Sequence, residues 1–252
     1  MIIENSKVIS NIEIANNIFL LTVRSPQIAS HGKAGQFCNI KVSNSNYPLL
    51  RRPFSICDIN NDEVSFLFNI VGEGTKILSG KKENDVINIL GPLGNGFLLN
   101  DDFDLAVFVA GGLGIAPFPL LQKELKNKKQ IERFFGARTA AEIITLDFEE
   151  SHWATDDGSL GRRGTVLDLL DSEINNFTNY KLKIFGCGPT PMLKALQKYS
   201  EEKKIKCEIS VESAMACGFG ICQGCPVEKN DKSGFYLICK DGPVFNSSDV
   251  IL

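Results

Sequence analysis

Four of the eight cysteines lie close together towards the carboxyl end of the chain: Cys217, Cys222, Cys225 and Cys239. The first three follow the spacing C-x4-C-x2-C, and thirteen residues separate the third from the fourth. Cysteines at this spacing are typical of plant-type [2Fe–2S] proteins. Glycines between them permit the backbone turns with which a loop wraps a small inorganic core. The spacing therefore predicts that these four cysteines hold a [2Fe–2S] cluster.

A zinc ion is the alternative occupant of this four-cysteine segment. Structural zinc usually takes two C-x2-C pairs, and the segment contains only one such pair. The two histidines, His31 and His152, are distant from it in sequence. We therefore favour iron–sulfur over zinc. The other cysteines stand singly among apolar neighbours, where a free thiol is commonly a core residue.

The composition is that of a globular protein. At roughly 150 residues per domain, a chain of 252 residues is long enough for two domains. Its formal net charge of −3 argues against a nucleic-acid partner, which usually requires a basic surface. No apolar run approaches the ~18 residues of a membrane span, and the first residues lack the features of a secretory signal. We therefore expect a cytoplasmic protein with reduced thiols and no membrane association.

Short apolar runs separated by turn residues fill residues 1–100. We predict strands at residues 17–23, 35–42, 53–58, 64–71 and 86–90. Strands this short and this closely spaced are typical of an antiparallel barrel. The first predicted domain is therefore an antiparallel β-barrel over residues 1–100.

Strands and helices alternate in the next part of the chain. The predicted strands are at residues 105–110, 131–135 and 181–185, and the predicted helices at 116–126, 165–170 and 192–203. This alternation predicts a parallel-sheet α/β domain over residues 101–212, with helices on both faces of the sheet. Residues 213–252 show little periodicity and contain the four cysteines. They are predicted to form a small subdomain that depends on its metal for stability.

A group of polar residues in the predicted barrel has the chemistry to bind a flavin nucleotide. The segment Arg52-Pro53-Phe54-Ser55 offers a guanidinium that can pair with a diphosphate and a hydroxyl that can bond to a flavin nitrogen. Gly74 and Thr75 begin a short helical stretch, where free N–H groups favour phosphate. By itself, the pattern fits either a flavin site or an ordinary strand and turn.

Two glycine-rich turns join strands to helices in the α/β part. They are Gly111-Gly112-Leu113-Gly114 and Gly186-Cys187-Gly188-Pro189, and glycine at such turns allows close approach of a dinucleotide. Neither matches the G-x-G-x-x-G fingerprint, so the residues alone leave the ligand open. Arg138 and the polar turn at residues 155–159 fit either the adenosine part of a dinucleotide or a solvated loop. They do not separate NAD from NADP.

Taken together, these motifs resemble the ferredoxin–NADP reductase superfamily. Arg52-Pro53-Phe54-Ser55 resembles its Arg-x-Tyr-Ser flavin motif, and the two glycine turns resemble its nicotinamide signatures. The cysteine segment, from Glu212 to Phe245, narrows the resemblance to the electron-transfer subunits of dihydroorotate dehydrogenase B. The likeness runs through nearly the whole chain in the same order.

This resemblance implies a role for each motif. FAD would be held by Arg52, Pro53, Phe54, Ser55, Asn69, Ile70, Val71, Gly74 and Thr75. NAD, as a substrate, would be bound by Gly111, Gly112, Gly114, Cys187, Gly188 and Pro189. No acid–base catalytic residue is implied, although Ser55 and Cys187 would lie near the flavin and the nicotinamide. Phe54 stands where the wider superfamily has tyrosine, so that hydroxyl is missing from the flavin site.

The resemblance also implies an oxidoreductase component of pyrimidine biosynthesis. The chain would pass electrons through [2Fe–2S] and FAD, between an FMN-containing dihydroorotate dehydrogenase catalytic subunit and NAD+. It would form a heterotetramer with two copies of each subunit and would not oxidise dihydroorotate alone. Phe219 and Phe245 are candidates for the docking face, and the alternative is that the cysteine segment merely packs on its own α/β domain. Alternatives are a subunit of another NAD(P)H-dependent flavin and iron–sulfur oxidoreductase, of the bifurcating transhydrogenase or sulfhydrogenase type, and a redox-sensing regulator.

Overall fold

The computed structural model describes residues 1–146, 148 and 150–252. Its first six strands form a closed antiparallel barrel, paired in the order β1-β2-β5-β4-β3-β6. The elements of this part are β1 (Ile2–Ala15), β2 (Ile18–Arg24), α1 (Pro26–Ala29), β3 (Phe37–Lys41), β4 (Arg52–Asn60), β5 (Glu63–Asn69), α2 (Glu73–Ser79) and β6 (Val86–Leu93). The predicted barrel is confirmed, and it includes one strand, β1, that the sequence did not predict.

The third barrel strand contributes side chains to two cores. Successive side chains of a strand point to opposite faces of the sheet. Cys38 and Ile40 are fully buried in the core inside the barrel. Phe37 instead packs, outside the barrel, in a second core that also contains Cys225 and Cys239. The outer face of β3 is thus covered by the cysteine-bearing segment.

A seven-stranded sheet follows the barrel, with the strand order β10-β9-β8-β7-β11-β12-β15. All neighbours pair in parallel except β12 and β15, which are antiparallel. The elements are β7 (Leu105–Gly111), α3 (Phe118–Leu125), β8 (Gln130–Ala137), β9 (His152–Thr155), β10 (Arg162–Arg163), α4 (Val166–Glu173), β11 (Leu182–Cys187), α5 (Thr190–Lys203), β12 (Lys206–Ser210) and β15 (Val244–Asn246). The predicted parallel sheet is confirmed.

Helices cover both faces of this sheet, as predicted. On one face Phe108 of β7 packs with Phe118 of α3, their ring centroids 4.9 Å apart. On the other face Val107 shares a core with Leu170 of α4 and Leu196 of α5. Because β7 is buried on both faces, its sequence is a continuous apolar run rather than an alternating one.

The cysteine segment has more regular structure than its sequence suggested. A small three-stranded sheet, ordered β14-β13-β16, is formed by β13 (Pro226–Lys229), β14 (Phe235–Leu237) and β16 (Val250–Ile251), with α6 (Ile238–Asp241) between β14 and β15. These strands have two to four residues each, too few to display a period. No helix in the described residues is long and apolar enough to cross a membrane.

Candidate cofactor sites

The four predicted cluster cysteines are gathered by a loop after β12 and by α6. The sulfur of Cys217 accepts hydrogen bonds from the backbone N–H groups of Phe219 (3.5 Å) and Cys222 (3.4 Å). The Cys239 sulfur accepts from the N–H of Gly220 at 3.1 Å, and the Cys239 N–H donates to the sulfur of Cys225 at 3.4 Å. The loop therefore turns its N–H groups towards the sulfurs, as expected of a wrap around an inorganic core.

The electrostatics of this loop differ from one thiol to the next. Burial acts to raise the pKa of Cys217, but the N–H donors of Cys222 and Phe219 outweigh it and lower the pKa to about 6. Burial and the neighbouring Cys225 thiol raise the pKa of Cys239 to about 12. Thiolates are the iron ligands, so the N–H donors favour the ligating form.

Four thiols and N–H groups directed at their sulfurs fit a [2Fe–2S] cluster, which takes four cysteine ligands. The donor set in this loop thus suits the predicted cluster.

One side of the cysteine loop is exposed and the other is packed against the barrel. Cys222 is exposed, and Phe219 and Ile221 are 37% and 76% exposed. Cys225 and Cys239 are buried. The sequence did not single out Ile221, which is the more exposed of the two apolar residues.

Phe245, expected at the docking face, is buried. It is 6% exposed, and its ring lies 5.4 Å from that of Tyr236. It pairs with Ile209 across β12 and β15 and so belongs to the sheet. The expectation for Phe245 was wrong, because an apolar residue in a short segment can serve a core as readily as an interface.

The arginine of the predicted flavin motif lies against the amino end of α2. A Cβ atom added at Gly74 would come within 2.4 Å of Arg52 Nε, so the guanidinium rests on bare backbone. The Thr75 hydroxyl accepts from the N–H groups of Val71 (2.9 Å) and Gly72 (3.2 Å) and donates to the Gly72 carbonyl. Arg52 and Gly74 are thus brought together, while the Thr75 side chain shapes the loop.

The other residues of the flavin motif follow Arg52 along β4. Pro53, Phe54 and Ser55 lie half-buried, and the Phe54 ring is 5.6 Å from Phe68 of β5. An aromatic face is therefore retained where the superfamily has tyrosine, without its hydroxyl.

A cavity of about 880 Å³ lies between the barrel and the carboxyl ends of the parallel strands. Its lining includes Asn69, Ile70, Gly111, Gly112 and Pro189 of the predicted residues, together with Arg138, Glu142, Asp156 and Met192. In open α/β sheets, ligands bind outside the carboxyl ends of the strands. The cavity thus brings together the end of β5 and both glycine turns.

The far end of the cavity, beside β8 and β9, contains charged side chains. The Arg138 guanidinium pairs with both carboxylate oxygens of Glu142, each at 3.1 Å. Asp156, at the end of β9, lines the same region. Two of the residues for which the sequence left an adenosine site or a solvated loop open, Arg138 and Asp156, therefore border the cavity.

Gly114, Cys187 and Gly188 lie behind the cavity lining and contact one another. A Cβ atom added at Gly114 would meet the Cys187 carbonyl oxygen at 2.1 Å, so the two turns touch through their backbones. Cys187 is 3% exposed, and burial raises the pKa of its thiol. These residues support the turns from behind. Val71, another residue predicted to contact FAD, is 77% exposed and is not among the residues that line the cavity.

Comparison with known proteins identifies the family of this chain. Residues 212–251 match the family described as the iron–sulfur cluster binding domain of dihydroorotate dehydrogenase B. The chain is 37% identical over 253 residues to the dihydroorotate dehydrogenase B (NAD(+)) electron transfer subunit of Bacillus velezensis, with 96% of each chain covered. It is 36% identical over 261 residues to that of Lysinibacillus sphaericus, covering 99% and 98%.

Solved structures share the fold. A chain of the NADH-dependent reduced ferredoxin–NADP oxidoreductase superposes with a TM-score of 0.87 at 27% identity, covering 98% of this chain and 89% of its own. The ferredoxin–NADP+ reductase of Plasmodium falciparum superposes with a TM-score of 0.65 at 19% identity, covering 81% and 95%. The near-full-length sequence relatives decide between these groups: the chain belongs to the family of dihydroorotate dehydrogenase B electron transfer subunits.

Proposed function

We propose that this chain holds one [2Fe–2S] cluster on Cys217, Cys222, Cys225 and Cys239, and passes electrons between that cluster, FAD and NAD+. The observation that carries the proposal is the cysteine loop, whose N–H groups point at the sulfurs and whose inner side rests on the flavin-type barrel. When bound, FAD exchanges a hydride with the nicotinamide and single electrons with the cluster. The protein supplies binding sites and fixed separations.

The barrel and the cavity provide the nucleotide sites. Arg52, which lies against the bare backbone at Gly74, would hold the FAD diphosphate, and Phe54 and Ser55 would hold the flavin ring. The FAD site would be completed by Asn69 and Ile70, which line the cavity, and by Pro53, Val71 and Thr75. NAD+ would be held by Gly111, Gly112 and Pro189 in the part of the 880 Å³ cavity that these residues line, with Gly114, Cys187 and Gly188 supporting the turns.

The partner of this chain is a dihydroorotate dehydrogenase catalytic subunit that contains FMN. The exposed side of the cysteine loop, defined by Phe219, Ile221 and Cys222, is the docking face, since single electrons must cross a short distance there. The assembly is a cytoplasmic heterotetramer with two copies of each subunit. The functional division of the chain is a barrel at 1–100, a nucleotide-binding domain at 101–212 and a cluster subdomain at 213–252.

The experiment is anaerobic purification followed by cofactor counting and reconstitution. We expect about two irons, about two sulfides and about one FAD per chain. The chain alone should leave dihydroorotate unchanged, and a mixture with an FMN-containing dihydroorotate dehydrogenase should reduce NAD+ when dihydroorotate is added. Bound zinc would overturn the cluster, and absence of flavin would favour the redox-sensor alternative. Ferredoxin- or NADPH-linked activity without any dihydroorotate-dependent reaction would favour the bifurcating type of oxidoreductase.

A further inference from the structure

Asn39 is a fully buried polar residue on the outer face of β3. Its Nδ2 donates a hydrogen bond to the backbone carbonyl of Cys217 at 3.1 Å. Its Oδ1 is buried and accepts no hydrogen bond within the described part of the chain. A buried side-chain amide lowers the stability of the fold unless its hydrogen bonds are made. A buried amide with only one of its two polar atoms hydrogen-bonded therefore suggests a functional role.

The cysteine loop lies directly on this amide. A Cβ atom added at Gly218 would come within 1.9 Å of Asn39 Nδ2. Gly218 also has a φ of +81°, a left-handed conformation that glycine adopts without cost. The residue next to Cys217 is therefore a glycine at the point where the loop backbone touches the barrel.

Asn39 also belongs to the strand that pairs with the flavin motif. In the register of β3 and β4, Asn39 lies opposite Pro53 and Phe37 lies opposite Ser55. The Asn39 carbonyl accepts a hydrogen bond from Arg51 Nη1 at 3.2 Å, which holds the start of β4 in place. One residue thus connects the flavin strand to the first cluster cysteine, 178 positions further along the chain.

We propose that Asn39 is a positioning residue that fixes the separation between FAD and the [2Fe–2S] cluster. The inference rests on the proposed function, because it takes β4 as the flavin strand and Cys217 as a ligand. In the step concerned, one electron leaves one centre as the other gains it, and Asn39 exchanges no proton. The rate of such a transfer falls steeply with the distance between the two centres. The hydrogen bond from Asn39 to the Cys217 carbonyl holds the cysteine loop on the barrel and so influences that rate.

The test compares Asn39→Leu, which removes the donor but keeps the branching of the side chain, with Asn39→Ala. Each full-length, cofactor-loaded protein is mixed with NADH in an anaerobic stopped-flow instrument, which follows FAD reduction and cluster reduction separately. FAD reduction should be unchanged. Cluster reduction should be several-fold slower than in the wild type, since the rate of single-electron transfer falls steeply as the two centres move apart. Iron and FAD contents should equal those of the wild type.

Asn11→Ala is the matched control. Asn11 Nδ2 donates to the carbonyls of Leu78 (3.0 Å), Ser79 (3.2 Å) and Lys81 (3.1 Å), none of which belongs to the cysteine loop. This variant should melt earlier yet keep the wild-type rate of cluster reduction. The proposal is overturned if both Asn39 variants keep that rate, if Asn11→Ala slows it equally, or if both Asn39 variants lose iron. A wild-type chain without FAD or iron would refute the proposed function instead.

Discussion

Replacing Lys183 with methionine should destabilise the junction between the barrel and the parallel sheet. Lys183 lies on β11 and is 1% exposed. Its Nζ donates to Asp101 Oδ2 and to the Leu98 carbonyl, each at 2.6 Å, and lies 3.2 Å from Glu208 Oε2. Leu98 and Asp101 belong to the link between β6 and β7, and Glu208 to β12. The lysine therefore ties this link to the sheet.

The size of this loss of stability follows from the unpaired Glu208 carboxylate that the variant leaves in the core. Glu208 is almost fully buried, and without Lys183 it has lost its cation. Removing one partner of a buried ion pair costs about 3–5 kcal/mol. In a chain of this size about 1 kcal/mol shifts the Tm by about 2–4 °C, so we expect a fall of about 6–20 °C.

The loss should also depend on pH. Burial raises the pKa of Glu208, and Lys183 opposes that rise. In the variant, the folded-state pKa of Glu208 rises further above its unfolded value. As pH falls, Glu208 therefore takes up a proton in the folded state before it does so in the unfolded state, and the cost of burying its unpaired charge shrinks. Hydrogen bonding from Lys183 lowers the pKa of Asp101, a stabilisation that is lost only as pH falls below the unfolded pKa of that carboxyl. It is therefore fully present at about pH 5 and at about pH 7.5, and the Glu208 effect alone makes the defect larger at the higher pH.

Thermal melting of the anaerobic holoprotein at the two pH values measures this. The double variant Lys183→Met with Glu208→Gln should recover much of the loss, because no buried charge is left unpaired. Lys181→Met is the control, since its ion pair with Asp102 is exposed and contributes little to stability. A single variant that melts like the wild type, or a double variant that melts no higher than the single one, would refute the reasoning.

Three further predictions concern the cofactor sites. Cys222→Ser should remove the iron and leave most of the FAD, as measured by iron and flavin content, because the exposed thiol is a proposed cluster ligand and is not among the residues proposed to hold FAD. Glu142→Gln should free the Arg138 guanidinium and lower the KM for NADPH relative to NADH, by about threefold to tenfold if a charge-assisted bond is gained. Gly114→Ala should abolish NADH oxidation at unchanged iron content, because its Cβ would collide with the Cys187 carbonyl at 2.1 Å.

Each of these variants has a control in the same chain. Cys57→Ala changes a cysteine of the barrel core and should retain the iron. Glu132→Gln alters the contact between Glu132 and His152 on the same sheet, outside the cavity lining, and should leave the preference between NADH and NADPH unchanged. A Cβ at Gly80 would meet its nearest atom at an ordinary 3.5 Å, so Gly80→Ala should oxidise NADH normally. A control that fails like its partner would contradict the corresponding prediction.

The fold could be predicted where the buried residues of an element form a simple pattern in the sequence. The continuous apolar run at residues 105–110 predicted β7, which is Leu105–Gly111. β1 was missed because two of its buried positions are polar, Glu4 and Ser6. Ser25 donates to the Glu4 carboxylate at 2.6 Å, and Ser6 donates to Ser25 at 2.9 Å. These partners are distant in sequence, so only the folded chain reveals why polar residues occupy buried sites.

The candidate sites were predictable to the extent that spacing encodes them. The cysteine spacing indicated one loop, and the glycine turns indicated the edge of the sheet that borders the cavity. Nothing in the sequence indicated the role of Asn39. A single asparagine in an apolar strand forms no periodic pattern, and the residue it bonds to is 178 positions away. The pairing of Arg138 with Glu142 was equally invisible, since a charged residue in a turn is usually solvated.

The last strand of the seven-stranded sheet has a consequence for protein made in iron-poor cells. Ile209 and Ser210 of β12 pair with Phe245 and Val244 of β15, and the Val211 N–H donates to the Pro243 carbonyl at 2.9 Å. If the cysteine segment detaches when it lacks iron, β12 becomes an open edge that can recruit strands from other chains. We therefore expect iron-free protein to aggregate and to be cleaved by proteases after β12. Stable, monomeric apoprotein would contradict this.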